Sequence, residues 1–350
     1  MATMAQAIRM ALAYGEQHLG VTDVFGEDCG PPLGGVFTCT QGLRTAWNSP
    51  LDERGIVGCA FGLALAGQKP VAEIQFCDYI FNAIDLMKLA GNSTWSSGGE
   101  FSVPMVLMTT VGAGIHGSIY HSHSFDSFAT HIPGWKVVIP SSPLDAYGLM
   151  ISAIREPNPV LFLEPKALLR TKGADKIPGE PDDRELRERI DAPIGDRSGW
   201  KPRWPELTDY SVPIGKSRVV RAGTAATVVS YGRTLPMCVD AATKLAADGI
   251  DYEVLDLRTL SPYDWDGIRS SVRKTRRVVF VNEDSEVTNF AEHLIRRTVD
   301  ELFYELEAPP KLVASKHVPG VGMAPTLEEA TVPHEARILA AMRELAQQRA

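Results

Sequence analysis

The feature that most constrains this chain is a pattern that occurs twice, in which short, continuously apolar segments alternate with stretches of helical periodicity. The first run extends from Met4 to about Glu164, with strands expected at 21–25, 71–76, 105–109, 137–139 and 160–163. Strands this apolar are covered on both faces, and strands separated by helices pair in parallel, so the pattern specifies an α/β domain with a mainly parallel sheet. A second run begins near Ala225, with strand TVVSY, a helix over 236–247 ending at Gly249, strand YEVLDL, a helix near Trp265 and strand RVVFVN. With 350 residues, 44% of them hydrophobic, the chain is long enough to bury two cores. The expected division is a first domain over 1–170, a connecting segment over 171–212 and a second domain over 213–350.

The connecting segment is rich in proline, glycine and charge (KIPGEPDDRELRERIDAPIGDRSGWKPRWPELTDY) and holds one helical candidate, 182–190. It reads as a long linker or surface excursion. Connections of this length are uncommon unless they serve a function, so an ordered element that docks on a partner is expected. The net charge of −8 comes from 43 acidic and 35 basic residues without a long block of one sign, which argues against a nucleic-acid-binding surface. The five cysteines (Cys29, Cys39, Cys59, Cys77, Cys238) are scattered and never spaced C-x-x-C, as expected of buried thiols in a cytoplasmic protein. No stretch approaches the roughly 20 apolar residues of a membrane span, and the amphipathic first 20 residues lack the pattern of a secretion signal.

Four places carry residues suited to chemistry. In Ser49-Pro50-Leu51-Asp52-Glu53-Arg54-Gly55 the order predicts a helix start, with Ser49 as cap and Pro50 at the first helical position. On its own, Glu53 is an ordinary first-turn acid. Gly55, Gly58 and Gly62 follow it, each costing about 1 kcal/mol of helix stability relative to alanine, and point to close helix packing that would bury the helix start. A glutamate so placed acquires an unusual proton affinity. Gln75 and Tyr79 flank the end of the strand VAEIQF, where open parallel sheets form their binding crevice, although both residues are equally suited to satisfying backbone groups. Glu27, just past the first strand, is suited either to touching a ligand or to capping its loop. Finally, Gly112-Ala113-Gly114-Ile115-His116-Gly117 is a literal G-x-G-x-x-G, but the polar SIYHSHSF that follows is a poor helix former, so a dinucleotide site is not expected. Histidines 116, 121, 123 and 131 gather there without a fixed third ligand for zinc, and His121 reads better as a proton-transfer or substrate-orienting group.

The segments VFGEDCG, SPLDERGIVG, PVAEIQFCDYIF, IYHSHS, GWKVVIPSSPLDAYGLM, NPVLFLEPKALLR, VPIGKSRVVRAG, YEVLDLRTLSPYDWDGI and RRVVFVNED occur in one order. Together they resemble the β subunit of the 2-oxoacid dehydrogenase E1 component, above all the branched-chain type, over nearly the whole chain outside 171–210. The resemblance implies a transketolase-like pyrimidine-binding domain followed by a transketolase C-terminal domain. It also implies thiamine diphosphate as cofactor, with the diphosphate and magnesium held by an α subunit in an α2β2 heterotetramer. Glu53 would bond N1′ of the aminopyrimidine and favour the imino tautomer that activates C2; Leu51, Gln75 and Tyr79 would line the pyrimidine pocket. Glu27 joins this cofactor set, and His121 would assist transfer to a lipoyl group. A structural potassium site, made largely of backbone carbonyls, would fall near Ala153, Glu156 and Asn158.

The sequence departs from this family in three places. The family's H-S-Q-S-P-E is replaced by His121-Ser122-His123-Ser124-Phe125-Asp126, its Y-R-Y-R-S-G by Ser93-Thr94-Trp95-Ser96-Ser97-Gly98, and its aromatic tail motif by Val318-Pro319-Gly320-Val321-Gly322-Met323. The leading expectation is decarboxylation of a small 2-oxo acid with acyl transfer to a lipoylated E2 acyltransferase. Two alternatives stand beside it: a carboligase that passes the same cofactor-bound fragment to an aldehyde, and a non-catalytic or metal-binding scaffold suggested by the histidines.

Overall fold

The computed structural model of the chain describes residues 1–197 and 199–348. The chain forms two compact units. The first comprises Met1–Thr110, His131–Glu164 and Leu168–Ile214; the second comprises Val111–Thr130, Pro165–Ala167 and Gly215–Ala350.

In the first unit a mainly parallel sheet holds strands β1 (Asp23–Gly26), β2 (Ala46–Asn48), β3 (Pro70–Phe76), β4 (Val106–Val111), β5 (Lys136–Val138) and β6 (Val160–Pro165), in the order β5-β6-β4-β3-β1-β2. The pairings of β1 with β2 and β3, of β3 with β4 and of β5 with β6 are all parallel, and Val24, Val71 and Val106 form one row across the sheet. Helices α1 (Met4–Tyr14), α2 (Glu53–Leu65) and α3 (Ile84–Ser96) connect or cover these strands; α4 (Asp126–Thr130) belongs to the second unit. Helix α5 (Pro143–Arg155), capped by Ser142 with Pro143 at its first turn, packs along α1. The strands expected at 21–25, 71–76, 105–109, 137–139 and 160–163 are present to within a few residues. Strand β2 was not expected, because its three residues are partly exposed and carry no apolar run.

Helix α1 is buried along its entire length, Arg9 included. Ile8, Met10 and Leu12 are fully buried, each worth about 1.5–3 kcal/mol relative to an exposed side chain. Burial lowers the proton affinity of Arg9, and its guanidinium is compensated by Gln41 Oε1 at 3.0 Å and by the Asp191 carboxylate. Asp191 lies at the end of helix α6 (Asp183–Ile190), within the segment 171–212. That segment is ordered packing of the first unit: Ile177, Leu186, Ile190, Leu207 and Val212 join the same apolar core as α1. Its charged sequence conceals this, because only one residue in several points inward.

The second unit holds β7 (Arg218–Arg221), β8 (Ala226–Ser230), β9 (Tyr252–Asp256), β10 (Thr259–Ser261), β11 (Val278–Ser285) and β12 (Lys311–Ser315), with a five-stranded sheet in the order β12-β11-β8-β9-β7. Its pairings are parallel except that of β7 with β9. Helices α7 (Thr234–Ala247), α8 (Trp265–Thr275), α9 (Phe290–Leu302), α10 (Pro325–Thr331) and α11 (Glu335–Gln347) complete it. No helix is long and apolar enough to cross a membrane among the described residues. Four cysteines are buried as expected, but Cys59 is exposed, because it lies on the outer face of α2.

Candidate active site

Three neighbouring parallel strands, in the order β3-β1-β2, end at one edge of the first sheet. The chain leaving β1 carries Glu27 and Asp28, the end of β3 carries Gln75 and the turn after it Tyr79, and the chain leaving β2 runs through Leu51 into α2 at Glu53. Carboxyl ends of adjacent strands are where open α/β sheets place ligands. The unforeseen β2 is what brings Glu53 to that edge.

The Gln75 amide donates to the Glu27 carbonyl and to Asp28 Oδ2, each at 3.4 Å. The Glu53 carboxylate accepts from Asn82 Nδ2 at 3.2 Å. Partial burial raises the proton affinity of Glu27, and the charges of Asp28 and Glu53 raise it further. Burial likewise raises that of Tyr79, with Asp78, Glu27 and Glu53 adding to the effect. Glu27, Asp28 and Glu53 thus form one acidic cluster, with neutral Gln75 and Tyr79 beside it. Leu51 is 70% exposed beside it and Phe81 52%.

The local helix start differs from expectation. Asp52 is the cap, its carboxylate accepting from the Gly55 N–H at 2.9 Å, whereas Ser49 Oγ donates to the Pro50 carbonyl. The start is not buried within the chain: Leu51, Asp52, Arg54 and Gly55 are exposed and Glu53 is half-buried. Of the three helix glycines, Gly58 lies close to Leu86, Gly55 lies against its own cap, and Gly62 faces open space. The apolar surface continues along α2 and α3 through Leu65, Leu89 and Trp95. Phe76 and Ile80 are core residues, whereas Phe81 is not. A cavity of about 670 Å³ lies elsewhere in this unit, lined by Pro31, Leu33, Gln41, Ala192, Arg197 and Trp200. Leu51, Asp52 and Phe81 place the acidic cluster at the surface of the unit, beside a cavity of about 200 Å³ lined by Phe25, Trp47, Pro50 and Ile56.

His121 belongs to the second unit. Its Nδ1 lies 3.1 Å from the Gly117 carbonyl, an acceptor that suits a hydrogen on Nδ1. The expected weakness of 118–125 as helix is borne out by a single 3-10 turn at Ser118–Tyr120. The G-x-G-x-x-G is not followed by a helix that would complete a dinucleotide fold; its N–H groups meet carboxylates instead. Ala113 N donates to Glu283 Oε1 at 2.6 Å, and the N–H groups of Gly114 and His116 donate to the two oxygens of Glu328, each at 3.2 Å. His116 Nδ1 lies 3.4 Å from Glu328. Among the described residues no three His, Cys, Asp or Glu side chains converge in a way that would hold a metal ion. Phe125 and Asp126, where the sequence departs from H-S-Q-S-P-E, are both buried; burial and the nearby Asp284 hold Asp126 well above the usual carboxylate range.

Two groups were missed by sequence reasoning. Glu73 and Glu164, in β3 and β6, are fully buried near the thiols of Cys29 and Cys39. Burial pushes the Glu73 carboxyl up to about 7, against the pull of the Val36 N–H and the Cys29 thiol. Burial, together with the charge of Glu73, holds Glu164 well above the usual carboxylate range. Only the alternation-breaking acid in each apolar strand could have signalled them.

Two parallel α/β units, with an acidic cluster at the carboxyl edge of the first, define the transketolase-like class. The family description "Transketolase, pyrimidine binding domain" matches residues 1–172, and "Transketolase, C-terminal domain" matches 215–338. The chain is 37% identical to the 2-oxoisovalerate dehydrogenase subunit beta of Dictyostelium discoideum over 90% of its own length and 79% of the relative's. It is 34% identical to the Bacillus subtilis protein of that name, over 93% and 92%, and 36% identical to the pyruvate dehydrogenase E1 component subunit beta of B. subtilis, over 89% of each. A solved structure titled split gene transketolase, inactive beta4 tetramer, superposes over the full length of both chains with a TM-score of 0.72 at 18% identity, a likeness of fold. The chain belongs to the family of 2-oxoacid dehydrogenase E1 β subunits.

Proposed function

We propose that this chain is the cofactor-activating β subunit of a thiamine-diphosphate-dependent 2-oxoacid dehydrogenase, active only with an α subunit in an α2β2 heterotetramer. The observation that carries the reading is the half-buried Glu53 carboxylate at the helix start, held by Asn82, backed by Glu27 and bordered by exposed Leu51 and Phe81. A carboxylate beside an apolar shelf fits an aminopyrimidine ring, which presents a flat face and a basic ring nitrogen. When bound, thiamine diphosphate supplies the carbon nucleophile for decarboxylation, with magnesium and diphosphate held mainly by the partner. Glu53 would share a proton with the pyrimidine nitrogen and Leu51 and Tyr79 would flank the ring, while Gln75, donating to the Glu27 carbonyl and to Asp28 Oδ2, keeps that loop in place. His121 would supply the proton taken up by the sulfur released when the lipoyl disulfide of an E2 domain opens.

In this reading residues 1–170 serve as the pyrimidine-binding domain and 213–350 as the C-terminal domain, with 171–212 inserted between them, and the protein acts in the cytoplasm. The exposed apolar face from Leu51 through Trp95 is suited to covering by a partner subunit. A structural potassium ion at 153–158 would be held by backbone carbonyls, since the Glu156 carboxylate is already taken by Lys136 Nζ at 2.5 Å and Asn158 Nδ2 at 3.0 Å. The test is Glu53→Gln in the reconstituted heteromer, assayed for decarboxylation. Loss of turnover with assembly intact supports the proposal, and a near-wild-type rate refutes it.

A further inference from the structure

The glycine-rich loop has the form of an anion-binding nest, with positive φ at alternate residues Gly112, Gly114 and His116 and backbone N–H groups that meet carboxylates. Its anions are supplied by the protein itself. Glu283, from β11, receives Ala113 N–H and also Arg233 Nη1 at 3.0 Å; Glu328, from α10, receives Gly114 N–H and His116 N–H. Both carboxylates are almost fully buried, so each bond is charge-assisted and shielded from water. Gly112, at φ +85°, has no room for a side chain, because a Cβ would stand 2.6 Å from Glu283 Oε2. The far end of the loop is fixed in the same way: Ser127 N donates to Asp284 Oδ2 at 2.8 Å, and Ser127 Oγ accepts from Phe290 N, the first residue of α9, at 2.9 Å. The base is closed by Gly112 N donating to the His123 carbonyl at 2.6 Å.

The intervening residues include His121 and the exposed Ile119 and Tyr120, and they form no helix or strand beyond one 3-10 turn. Both ends of this stretch are fixed by the carboxylates of Glu283, Glu328 and Asp284, and within it Ile119 lies against Gly320. We infer that Glu328 and Glu283 are positioning residues for His121, their carboxylates filling the nest so that the imidazole is presented at a fixed place. The inference rests on the proposed role of His121 in acyl transfer.

Glu328→Gln is the sharpest probe. An amide offers one acceptor oxygen and turns its NH₂ toward the second backbone N–H, so one of the two bonds is lost at nearly constant volume. In the assembled heteromer, decarboxylation would be followed with an artificial electron acceptor, and acyl transfer with a lipoylated domain. The expected result is a fall of at least tenfold in kcat for lipoyl acylation, with decarboxylation changed less than twofold. Glu328→Asp, which keeps the charge, should recover part of the loss. In a His121→Ala background, Glu328→Gln should add nothing, because the group it places is gone. Gly112→Ala, which displaces Glu283 from the other side, should reproduce the selective loss independently.

An equal fall in both half-reactions, or no fall in either, overturns the inference. So does a further loss on the His121→Ala background. If His121→Ala alone leaves lipoyl acylation unchanged, the role proposed for His121 fails first; if it impairs acylation while Glu328→Gln and Gly112→Ala do not, only the positioning inference fails. Native-state hydrogen exchange at the amides of 113, 114 and 116 reports whether the nest has loosened, and unchanged protection in Glu328→Gln also overturns it.

Discussion

Glu53 and Glu73 lie on adjoining elements of the same unit, and the chain treats them in opposite ways. Glu73 is sealed in the sheet beside Glu164, where removal from water favours the neutral carboxyl. Glu53 stands at an exposed helix start among uncovered apolar side chains. The difference teaches what each acid answers to. A carboxylate enclosed by its own chain contributes to or subtracts from folding stability, whereas one left on an apolar surface is completed by whatever covers that surface.

The comparison breaks most readily at Glu53. Glu53→Gln should lower decarboxylation by the assembled enzyme by roughly 100- to 10,000-fold, while the melting temperature of the chain stays unchanged; a loss of stability in place of activity would reverse the assignment. Next is the buried charge that ties the inserted segment to α1. Asp191→Ala leaves the Arg9 guanidinium buried with Gln41 alone, and denaturant unfolding should show a loss of about 3–5 kcal/mol.

Glu73 supplies a pH signature. Its folded value of about 7 lies above the ordinary 4.5, so the folded state binds more protons and its contribution is complete below about pH 4.5 and lost as pH rises through 7. Glu73→Gln should flatten that decline, worth about 3 kcal/mol at pH 8, in a series of melts from pH 4.5 to 8. An unchanged slope would mean that Glu73 is not the group being titrated. On the exposed side, Trp95→Asp should weaken association with the α subunit by about 2 kcal/mol, or roughly thirtyfold, without altering the melt of the chain; unaltered association would show that this face is not covered. Smallest of all, Gly62→Ala, at an exposed helix position with no atom near its added Cβ, should stabilise the chain by about 1 kcal/mol, and any accompanying loss of assembly would show that α2 is approached closely there.

Much of this was legible in advance, and the reason is local. The apolar strands and the helix periodicity set two parallel α/β units because a strand that is apolar on both sides must be covered on both. Gln75 and Tyr79 were legible because they sit at and just after the end of an apolar strand, and Glu53 because the ordered motifs resemble a family that has a glutamate at that helix start. Boundaries that depend on cap geometry were misread: Ser49 and Asp52 are both good cap residues, and only the backbone turn after β2 selects Asp52.

What the sequence by itself determined is therefore the class of fold, the strand end that carries Gln75 and Tyr79, and the family; the approach of Glu53 to that edge came from β2, which the sequence did not show. What only the tertiary structure decided is which polar groups meet across long separations: Arg9 with Asp191, Glu73 with Glu164, and the glycine loop with Glu283 and Glu328. Periodicity reports which way a side chain faces, but a buried charge is tolerated only beside a particular partner, and that partner is chosen by packing in three dimensions.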